Sequence, residues 1–377
     1  MSDVIVVGGG PAGLAAALAL GRVHRTVLLL DAGQGRNATA GHVHNFLTRD
    51  GTPPAELREL ARAELSGYPA VRIRSGTVTG VRALGKGRLQ ADVSGGEDRF
   101  QTDLSGNDGR SQADLSSRED RFQADLPGGG TAEARRLLLA TGLADELPGP
   151  RGAEALWGRS AFHCPYCHGY ECTGKRVAVL GAQPGRVRLA LQLSRFAADV
   201  ALCTGGEPLD AASRATLESN GVTVRCEPIA RLEGTGDRLD QIVFEGGPPL
   251  AREAVFVVNI TRQRSGLAAG LGCASFADGC VEVNEFGQTS VPGVYAAGDM
   301  ARRATVPVPQ AAVITAAASG TVAAAIIDQD LLSADFGLSN PFAQPPLKPA
   351  PHEPATHEPA THQPAASEPA PSTQAGG

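Results

Sequence analysis

Short apolar runs alternate with Ala- and Leu-rich stretches along most of the chain. The apolar runs occupy residues 4–7, 26–30, 136–140, 177–180, 200–202, 255–259 and 293–297. Their length and their content of Val, Ile and Leu predict buried strands, and the stretches between them predict helices. Strands that alternate with helices are typical of α/β proteins with parallel sheets.

The tail, residues 344–377, departs from this rhythm. It is rich in Pro, Ala, Thr and His, and it repeats the sequence His-Glu-Pro-Ala-Thr from His352 and from His357. Because such a segment cannot bury enough apolar surface to offset its chain entropy, we predict that it is disordered and that its histidines hold no metal.

An 11-residue repeat fills residues 88–131, with copies that begin at Arg88, Arg99, Arg110 and Arg121. Each copy alternates apolar and polar residues and then breaks, which predicts a strand followed by a turn. An 11-residue period also occurs in coiled coils, but the Gly and Pro in the breaks exclude a continuous helix. We predict a surface hairpin strand that has been copied several times and has no chemical role.

Composition narrows the class of protein. The chain has 377 residues, enough for two domains, and a net charge of −6 without a basic stripe, which argues against nucleic acid as a partner. No apolar run is long enough to span a membrane, and the N-terminal residues do not resemble a secretory signal. Seven cysteines are an odd number and do not suggest a disulfide-stapled secreted scaffold. We therefore expect a cytoplasmic protein.

The first apolar run leads into a Gly-x-Gly-x-x-Gly sequence, which consists of Gly8, Gly9, Gly10, Pro11, Ala12 and Gly13. In a strand–turn–helix unit, the first Gly forms the tight turn, the second admits a pyrophosphate, and the third lets the helix pack on the strand. A helix predicted at 14–20 follows, and its N-terminus favours phosphate charge. The next strand ends at Asp31, where a carboxylate can accept hydrogen bonds from ribose hydroxyls. This turn predicts a dinucleotide site.

Two later segments indicate that the dinucleotide is FAD. One buried strand ends at Thr141-Gly142, and another delivers Gly298-Asp299 at its carboxyl end. A helix of small apolar residues is predicted at 310–327, beginning with Gln310 and Ala311. Its positive N-terminal end would stabilise a reduced, anionic flavin.

A redox pair is predicted at Cys164-Pro165-Tyr166-Cys167, followed directly by His168. Two cysteines at this spacing can close a disulfide ring that a neighbouring flavin reduces or oxidises. The reactive form is a thiolate, and a helix N-terminus together with a histidinium lowers the pKa of a cysteine. His168 is the candidate base or counter-ion.

Other interpretations of the same residues remain open. Cys-x-x-Cys-His is also the attachment pattern of c-type haem. His163, Cys164, Cys167 and His168 are also the ligand types of a zinc site, although no second pair of ligands follows. Cys-Pro-Tyr-Cys is also found in glutaredoxins, where it would follow the first strand of a small domain.

These motifs resemble the low-molecular-weight thioredoxin reductase family of flavoproteins, over nearly the whole chain except the repeat and the tail. The resemblance implies that FAD is held by the residues that match the family pattern, which are Gly8, Gly10, Gly13, Asp31, Thr141, Asp299 and Gln310. We extend this predicted site to the neighbouring Pro11, Ala12, Gly142, Gly298 and Ala311.

The segment after Asp31 is similar to a subgroup of dithiol oxidases that close disulfides in gliotoxin-like and holomycin-like products. This part of the resemblance adds Arg36, Asn37, His42 and Asn45 to the predicted flavin site. It also implies that Cys167 faces the flavin and that Cys164 attacks an external thiol or disulfide. A homodimer is implied, and the partner is a small-molecule dithiol or a thioredoxin-like protein.

A second strand–turn–helix unit follows the pair, but its Gly-rich sequence is altered. Gln183 replaces the second Gly, Pro184 removes an amide donor, and Arg186 replaces the small third residue. A helix is predicted at 187–196. No basic cluster for a 2′-phosphate and no acid for a ribose is recognised after the next strand, around Glu207. We therefore expect that NADPH binding is weakened or lost.

Together these features predict an α/β fold of two Rossmann-like, three-layer domains. Residues 1–152 and 280–343 would form a discontinuous FAD domain, with the repeat inserted at 88–131, and residues 153–279 would form a central domain that carries the pair. The predicted function is dithiol–disulfide exchange through FAD, with oxygen as a candidate electron acceptor. The alternatives are an NADPH-dependent thioredoxin reductase and a flavin-binding redox sensor without turnover.

Overall fold

A computed structural model describes residues 1–84, 121–126 and 128–343. Its strands, in chain order, are β1 (Ser2–Val7), β2 (Val27–Asp31), β3 (Val71–Ser75), β4 (Val81–Ala83), β5 (Phe122–Asp125), β6 (Thr131–Leu139), β7 (Leu143–Glu146), β8 (Ala161–Phe162), β9 (Arg176–Leu180), β10 (Asp199–Cys203), β11 (Thr223–Arg225), β12 (Ile229–Thr235), β13 (Arg238–Phe244), β14 (Leu250–Ala251), β15 (Ala254–Phe256), β16 (Ile260–Gln263), β17 (Val281–Glu282), β18 (Val294–Ala296) and β19 (Ala301–Arg302).

The helices are α1 (Pro11–Arg22), α2 (Pro54–Leu65), α3 (Ala153–Leu156), α4 (Pro165–His168), α5 (Pro184–Leu193), α6 (Ala211–Ser219), α7 (Leu267–Gly270) and α8 (Val313–Phe336), and a 3-10 turn lies at Tyr170–Cys172. Among these helices of the described residues, none combines the length and the hydrophobicity that are needed to cross a lipid bilayer.

The first sheet has seven strands. Its order is β3-β2-β1-β6-β5-β4, and β18 also pairs with β6. The pairs among β1, β2, β3, β6 and β18 are parallel, while β4 and β5 add an antiparallel edge. The central strands carry apolar side chains on both faces because α1 and α8 cover one face and a second apolar cluster covers the other.

The second sheet belongs to the middle of the chain. Its order is β11-β10-β9-β15-β8, and every pair in it is parallel. A three-stranded antiparallel sheet, β12-β13-β14, packs against it through a shared apolar cluster. The parallel strands of the two sheets, with the helices that flank them, confirm the predicted α/β fold of two Rossmann-like domains.

All three predicted helix starts are wrong, and so are the ends, which lie at Arg22, Leu193 and Phe336 rather than at residues 20, 196 and 327. Helix α1 begins at Pro11 rather than residue 14, and α5 begins at Pro184 rather than residue 187, because a proline at the first helical position needs no hydrogen-bond partner for its nitrogen. The last helix begins at Val313, so Gln310 and Ala311 lie in the segment before it and not in its first turn.

A two-stranded antiparallel ribbon connects the two parts of the chain. It pairs β7 with β16, with Asp145 opposite Thr261. Beyond β16, the chain packs into the apolar cluster of the first sheet through Leu267, Ala268 and Leu271. The predicted limits had placed these residues in the central domain, 153–279. The predicted domain limits otherwise stay predictions.

Part of the repeat lies within the described residues. The copy that begins at Arg121 forms β5, which pairs on one side with β4 and on the other with β6. For this copy, the prediction of a hairpin strand is confirmed. The copies at Arg88, Arg99 and Arg110 and the tail lie outside the described residues.

Candidate active site

The first Gly-rich turn is built by close backbone contact. A Cβ atom placed on Gly8, whose φ is +112°, would lie 2.2 Å from the carbonyl oxygen of Ala140, and one on Gly13 would lie 1.8 Å from the carbonyl oxygen of Gly8. A Cβ on Gly10 would meet no atom of the described residues within 4 Å. Glycine is therefore required at Gly8 and Gly13 by packing, while at Gly10 it keeps open the space above the turn.

That open space faces helix α1 at its N-terminus. Gly10 is the N-cap residue, and no side chain from the described part of the chain caps the helix there. The first N–H groups of a helix otherwise lack partners, and together with the helix dipole they favour a phosphate anion. Pro11 and Ala12 form the start of this helix, so these residues fit the pyrophosphate of a dinucleotide.

Asp31 lies at the carboxyl end of β2 beside this turn. Its Oδ1 accepts hydrogen bonds from the backbone N–H of Gly9 at 3.1 Å and of Gly33 at 3.1 Å, and its Oδ2 is paired with Arg62. The carboxylate is buried and held in a fixed orientation. This position is compatible with the predicted role of accepting from ribose hydroxyls. Arg62 on α2 was missed because nothing in the sequence links it to Asp31.

The other predicted flavin residues gather at the ends of β6 and β18. Thr141 donates from its N–H and its hydroxyl to the sulfur of Met300, at 3.3 and 3.2 Å. Gly298 donates to the hydroxyl of Ser319 on α8 at 2.9 Å, and Asp299 follows it directly. Burial raises the pKa of the Asp299 carboxyl, although the guanidinium of Arg36 lies beside it and acts in the opposite direction. The N-terminus of α8 also has no side-chain cap among the residues that the structure covers, which suits an anionic ring.

Arg36 connects two of these elements. Its guanidinium pairs with Asp145 through two hydrogen bonds, from Nε at 2.8 Å and from Nη2 at 2.7 Å, and Nη1 donates to Asp299 at 3.0 Å. Asn259 donates to the same Asp145 at 2.8 Å. Asp145 and Asn259 were not predicted to belong to the site.

The remaining residues of the predicted subgroup segment lie in different places. Asn37 is half-buried near Arg36, while His42 is exposed, with its ring 6.2 Å from that of His44. Asn45, which has a φ of +60°, donates its side-chain amide to the carbonyl oxygen of Tyr166 between the two cysteines. Asn45 therefore contacts the redox segment rather than the Gly-rich turn.

The two cysteines of the pair lie at the start of α4 as free thiols. Their sulfurs are 2.9 Å apart, and Cys167 donates to Cys164. The hydrogen bond from Cys167 lowers the pKa of the Cys164 thiol to about 6, and the backbone N–H groups of Cys167 and Tyr166 and the charge of Arg36 add to this effect against burial. The same hydrogen bond and burial raise the pKa of Cys167. Cys164 is therefore the thiolate of the pair.

His168 does not have the environment that a counter-ion needs. Its ring stacks on Phe162, with centroids 4.3 Å apart, and neither ring nitrogen has a hydrogen-bond partner within the described residues. Burial lowers its pKa to about 4, so the ring is neutral at pH 7. A neutral ring disfavours the predicted role of counter-ion, for which the charge of Arg36 is the nearer source, while the predicted role of His168 as a base stays a prediction.

His163 precedes the pair and is likewise neutral. It stacks on Trp157 at 5.4 Å, and burial and the charges of Arg36 and Arg186 lower its pKa to about 4. Within residues 1–84, 121–126 and 128–343, no group of three or more His, Cys, Asp or Glu side chains is arranged to hold a metal ion.

The second Gly-rich turn is filled by its own side chains. A Cβ on Gly181 would lie 2.5 Å from Oε1 of Gln183 and 3.3 Å from Cγ of Arg186. Arg186 extends across the crevice and donates to the carbonyl oxygen of Val257 at 2.9 Å. The space beside Gly181 is therefore lined by the side chains of Gln183 and Arg186, whereas the space beside Gly8 is lined by the backbone of Ala140.

Two predictions for this second turn are wrong. Pro184 is the first residue of α5, just as Pro11 is the first residue of α1, so it does not damage the motif. An acid is also present, because Glu207 accepts from the N–H of Ala182 at 3.1 Å and from the side chain of Gln183 at 2.8 Å. Glu207 was missed because it lies in the loop beyond β10 rather than at the strand end.

Comparisons with known proteins find related proteins over most of the chain. Residues 2–320 match the family described as pyridine nucleotide-disulphide oxidoreductase. Thioredoxin reductase tcpT of Claviceps purpurea (strain 20.1) is 32% identical over 310 residues, which cover 79% of this chain and 86% of the relative. Thioredoxin reductase sirT of Leptosphaeria maculans is 31% identical over 359 residues, or 88% and 95% of the two chains. The crystal structure of HlmI superposes with a TM-score of 0.74 at 37% identity and covers 89% of this chain and 94% of that one.

Proposed function

Since this chain belongs to the pyridine nucleotide-disulphide oxidoreductase family, we propose that it is an FAD-dependent enzyme that oxidises an external dithiol through Cys164 and Cys167. Its membership of the family and its resemblance to thioredoxin reductases make it a disulfide oxidoreductase. The flavin, the role of the pair and the electron acceptor are the proposed parts.

The proposed reaction begins with the pair as a disulfide. A thiolate of the substrate attacks the sulfur of Cys164, which breaks the bond to Cys167 and forms a mixed disulfide. The second thiol of the substrate, after losing its proton, attacks the substrate sulfur of this mixed disulfide, closes the substrate disulfide and expels Cys164. A thiolate with a low pKa is a good leaving group, and the pKa of Cys164 is lowered to about 6.

The reduced pair then has the geometry that the structure describes. Cys167 must lose its proton before its sulfur can act as a nucleophile, and Cys164, whose sulfur is 2.9 Å away, is placed to accept that proton. When bound, FAD supplies an acceptor for two electrons, and molecular oxygen takes them onward with two protons to give hydrogen peroxide. The pair returns to a disulfide as its two protons are released.

The choice of oxygen rather than a pyridine nucleotide depends on the second turn. Gln183 stands where the second Gly of the motif would admit NADPH, Arg186 replaces its small third residue, and among the ion pairs of the described residues none joins a Lys or Arg to Glu207. These contacts support a one-directional oxidase that needs only the first nucleotide site.

The single observation that carries the proposal is the geometry of the pair, two free cysteines whose sulfurs lie 2.9 Å apart on one turn of chain. It is tested by anaerobic stopped-flow spectroscopy of the purified, FAD-loaded protein mixed with dithiothreitol, NADPH or NADH. We expect rapid bleaching of the flavin by dithiothreitol, none by NADPH, and recovery of the flavin band in air. Bleaching by stoichiometric NADPH would overturn the oxidase proposal in favour of a reductase.

Two matched variants test whether the electrons pass through the redox pair. Cys164→Ser should abolish bleaching by dithiothreitol, whereas Cys226→Ser, which removes an exposed cysteine on the central domain, should leave it unchanged. If Cys164→Ser kept the native rate, the electrons would reach the flavin without the pair.

We also propose a homodimer in the cytoplasm, with a small-molecule dithiol as substrate and a thioredoxin-like protein as the alternative.

A further inference from the structure

The cluster around Arg36 brings together parts of the chain that are far apart in sequence. Arg36 follows β2 and reaches Asp145 on the ribbon strand β7, which is 109 residues away, and Asp299 after β18, which is 263 residues away. Its side chain is only 17% exposed, and that of Asp145 is 7% exposed. A bidentate guanidinium–carboxylate pair fixes both distance and orientation.

The ribbon partner of this cluster leads directly to the redox pair. Asn259 holds Asp145 from the position just before the second ribbon strand, β16. The chain enters the central domain after β7 and returns from it into β16, and this domain carries α4 and both cysteines. Arg36 therefore attaches the central domain, through the ribbon, to the same Asp299 that is predicted to hold the flavin.

The cluster is also close enough to act on the sulfurs by charge. The charge of Arg36 lowers the pKa of Cys164 and counteracts the rise in that of Cys167, while Asp299 acts on Cys167 in the opposite direction. Burial alone would raise the pKa of Asp145, but the hydrogen bonds and the charge of Arg36 lower it, so Asp145 stays ionised. One guanidinium thus pairs with two carboxylates beside a site where a thiolate forms.

We infer that Arg36 is a positioning residue for the redox pair: it fixes the ribbon against Asp299 and so holds Cys167 towards the flavin site. This inference rests on the proposed function, because it concerns the transfer of electrons from the pair to the flavin. It goes beyond binding of the cofactor, because Asp145, one of the two carboxylates that Arg36 contacts, lies on the ribbon and not on the Gly-rich turn.

The test uses three variants of the full chain, each loaded with FAD. Arg36→Gln should slow flavin bleaching by dithiothreitol by about tenfold or more, since small misplacements of reacting groups have effects of this size. Asp145→Asn should slow it similarly while it keeps the positive charge. Arg36→Lys keeps the charge but loses the two-pronged pair, so its bleaching should remain slow.

A second measurement does not need the flavin. The rate of Cys164 alkylation by iodoacetamide, followed by mass spectrometry against pH in the FAD-free protein, reports the pKa of the thiol. Its midpoint should move to higher pH in Arg36→Gln and stay near the native value in Arg36→Lys. If Arg36 only stabilised the fold, Arg36→Gln would leave both the alkylation midpoint and the bleaching rate of the folded protein unchanged.

The matched control is Arg225→Gln. Arg225 is 15% exposed and pairs with both carboxylate oxygens of Glu227, but it lies on β11, away from the pair. It should change neither the bleaching rate nor the alkylation midpoint.

If Arg36→Gln fails to bind FAD, Asp145→Asn decides the question: native bleaching in a fully loaded Asp145→Asn protein overturns the inference. If the native protein itself is not bleached by any dithiol, the proposed function fails instead, and the alkylation midpoint still tests the charge of Arg36.

Discussion

The two Gly-rich turns of this chain share one backbone plan and differ in what fills the space above it. At Gly8, the nearest atoms to an added Cβ are backbone atoms of Ala140 and Thr141 on the neighbouring strand end. At Gly181, they are side-chain atoms of Gln183 and Arg186. Both helices start with a proline, and in both turns a carboxylate accepts from a backbone N–H, Asp31 from Gly9 and Glu207 from Ala182.

On the proposed function, the second domain keeps a dinucleotide fold without using it to bind NADPH. The second sheet keeps its parallel order and its buried core. Two side chains of the second turn are held by hydrogen bonds, Gln183 to Glu207 and Arg186 to the carbonyl oxygen of Val257. Stability and ligand binding would then be separable in this domain, and substitutions at matched positions test that.

The strongest effect is expected at Gly13. Alanine there would place a Cβ 1.8 Å from the carbonyl oxygen of Gly8, so the helix must move away from the strand, at a cost of about 1–3 kcal/mol in the free energy of unfolding. Most bound FAD should be lost as well. Urea denaturation and the ratio of flavin to protein absorbance measure both effects.

Gly185→Ala is the matched control in the second turn, because a Cβ there meets no atom of the described residues within 4 Å. It should leave the FAD content unchanged and raise stability by about 0.5–1 kcal/mol, the usual gain from replacing glycine inside a helix. A Gly13→Ala protein with native stability and full FAD would contradict the packing argument.

The next effect concerns Gly10, where the space is open rather than crowded. Gly10→Gln copies the side chain of the second turn into the first without a backbone clash. We expect a native fold by circular dichroism but an affinity for FAD lower by about tenfold or more, since the side chain would stand where the pyrophosphate approaches. Fluorescence titration of the FAD-free protein with FAD gives the affinity, and an unchanged Kd would show that the open space is not the ligand site.

Much of this contrast between the turns could be predicted from the sequence, because strands and tight turns are set by local patterns. The apolar runs located seven parallel strands, and the spacing of Gly8, Gly10 and Gly13 located a turn that depends on glycine. The contacts of Arg36 could not be predicted, since its two carboxylate partners are brought to it only by the folded sheets. The neutral state of His168 likewise depends on its burial against Phe162.

A weaker effect is expected when the second crevice is opened. The double variant Gln183→Gly with Arg186→Ala removes both side chains that fill it. We expect binding of NADH to strengthen by about tenfold, and NADPH to bind less well, because the carboxylate of Glu207 can accept from a 2′-hydroxyl but repels a 2′-phosphate. The fluorescence of the reduced nicotinamide follows binding. Equal affinity for the two nucleotides, or no gain for either, would show that the crevice is not a latent dinucleotide site.

The weakest effect is expected for Glu207→Gln in the otherwise native chain. Glu207 is exposed and its amide replacement can still accept from Ala182, so the free energy of unfolding should change by no more than about 0.5 kcal/mol. The rate of flavin bleaching by dithiothreitol should also stay native, whereas Asp31→Asn, at the corresponding position of the first turn, should lower the affinity for FAD. If Glu207→Gln slowed bleaching as strongly as a change at the redox pair, the second crevice would take part in turnover, and the functional difference between the two turns would disappear.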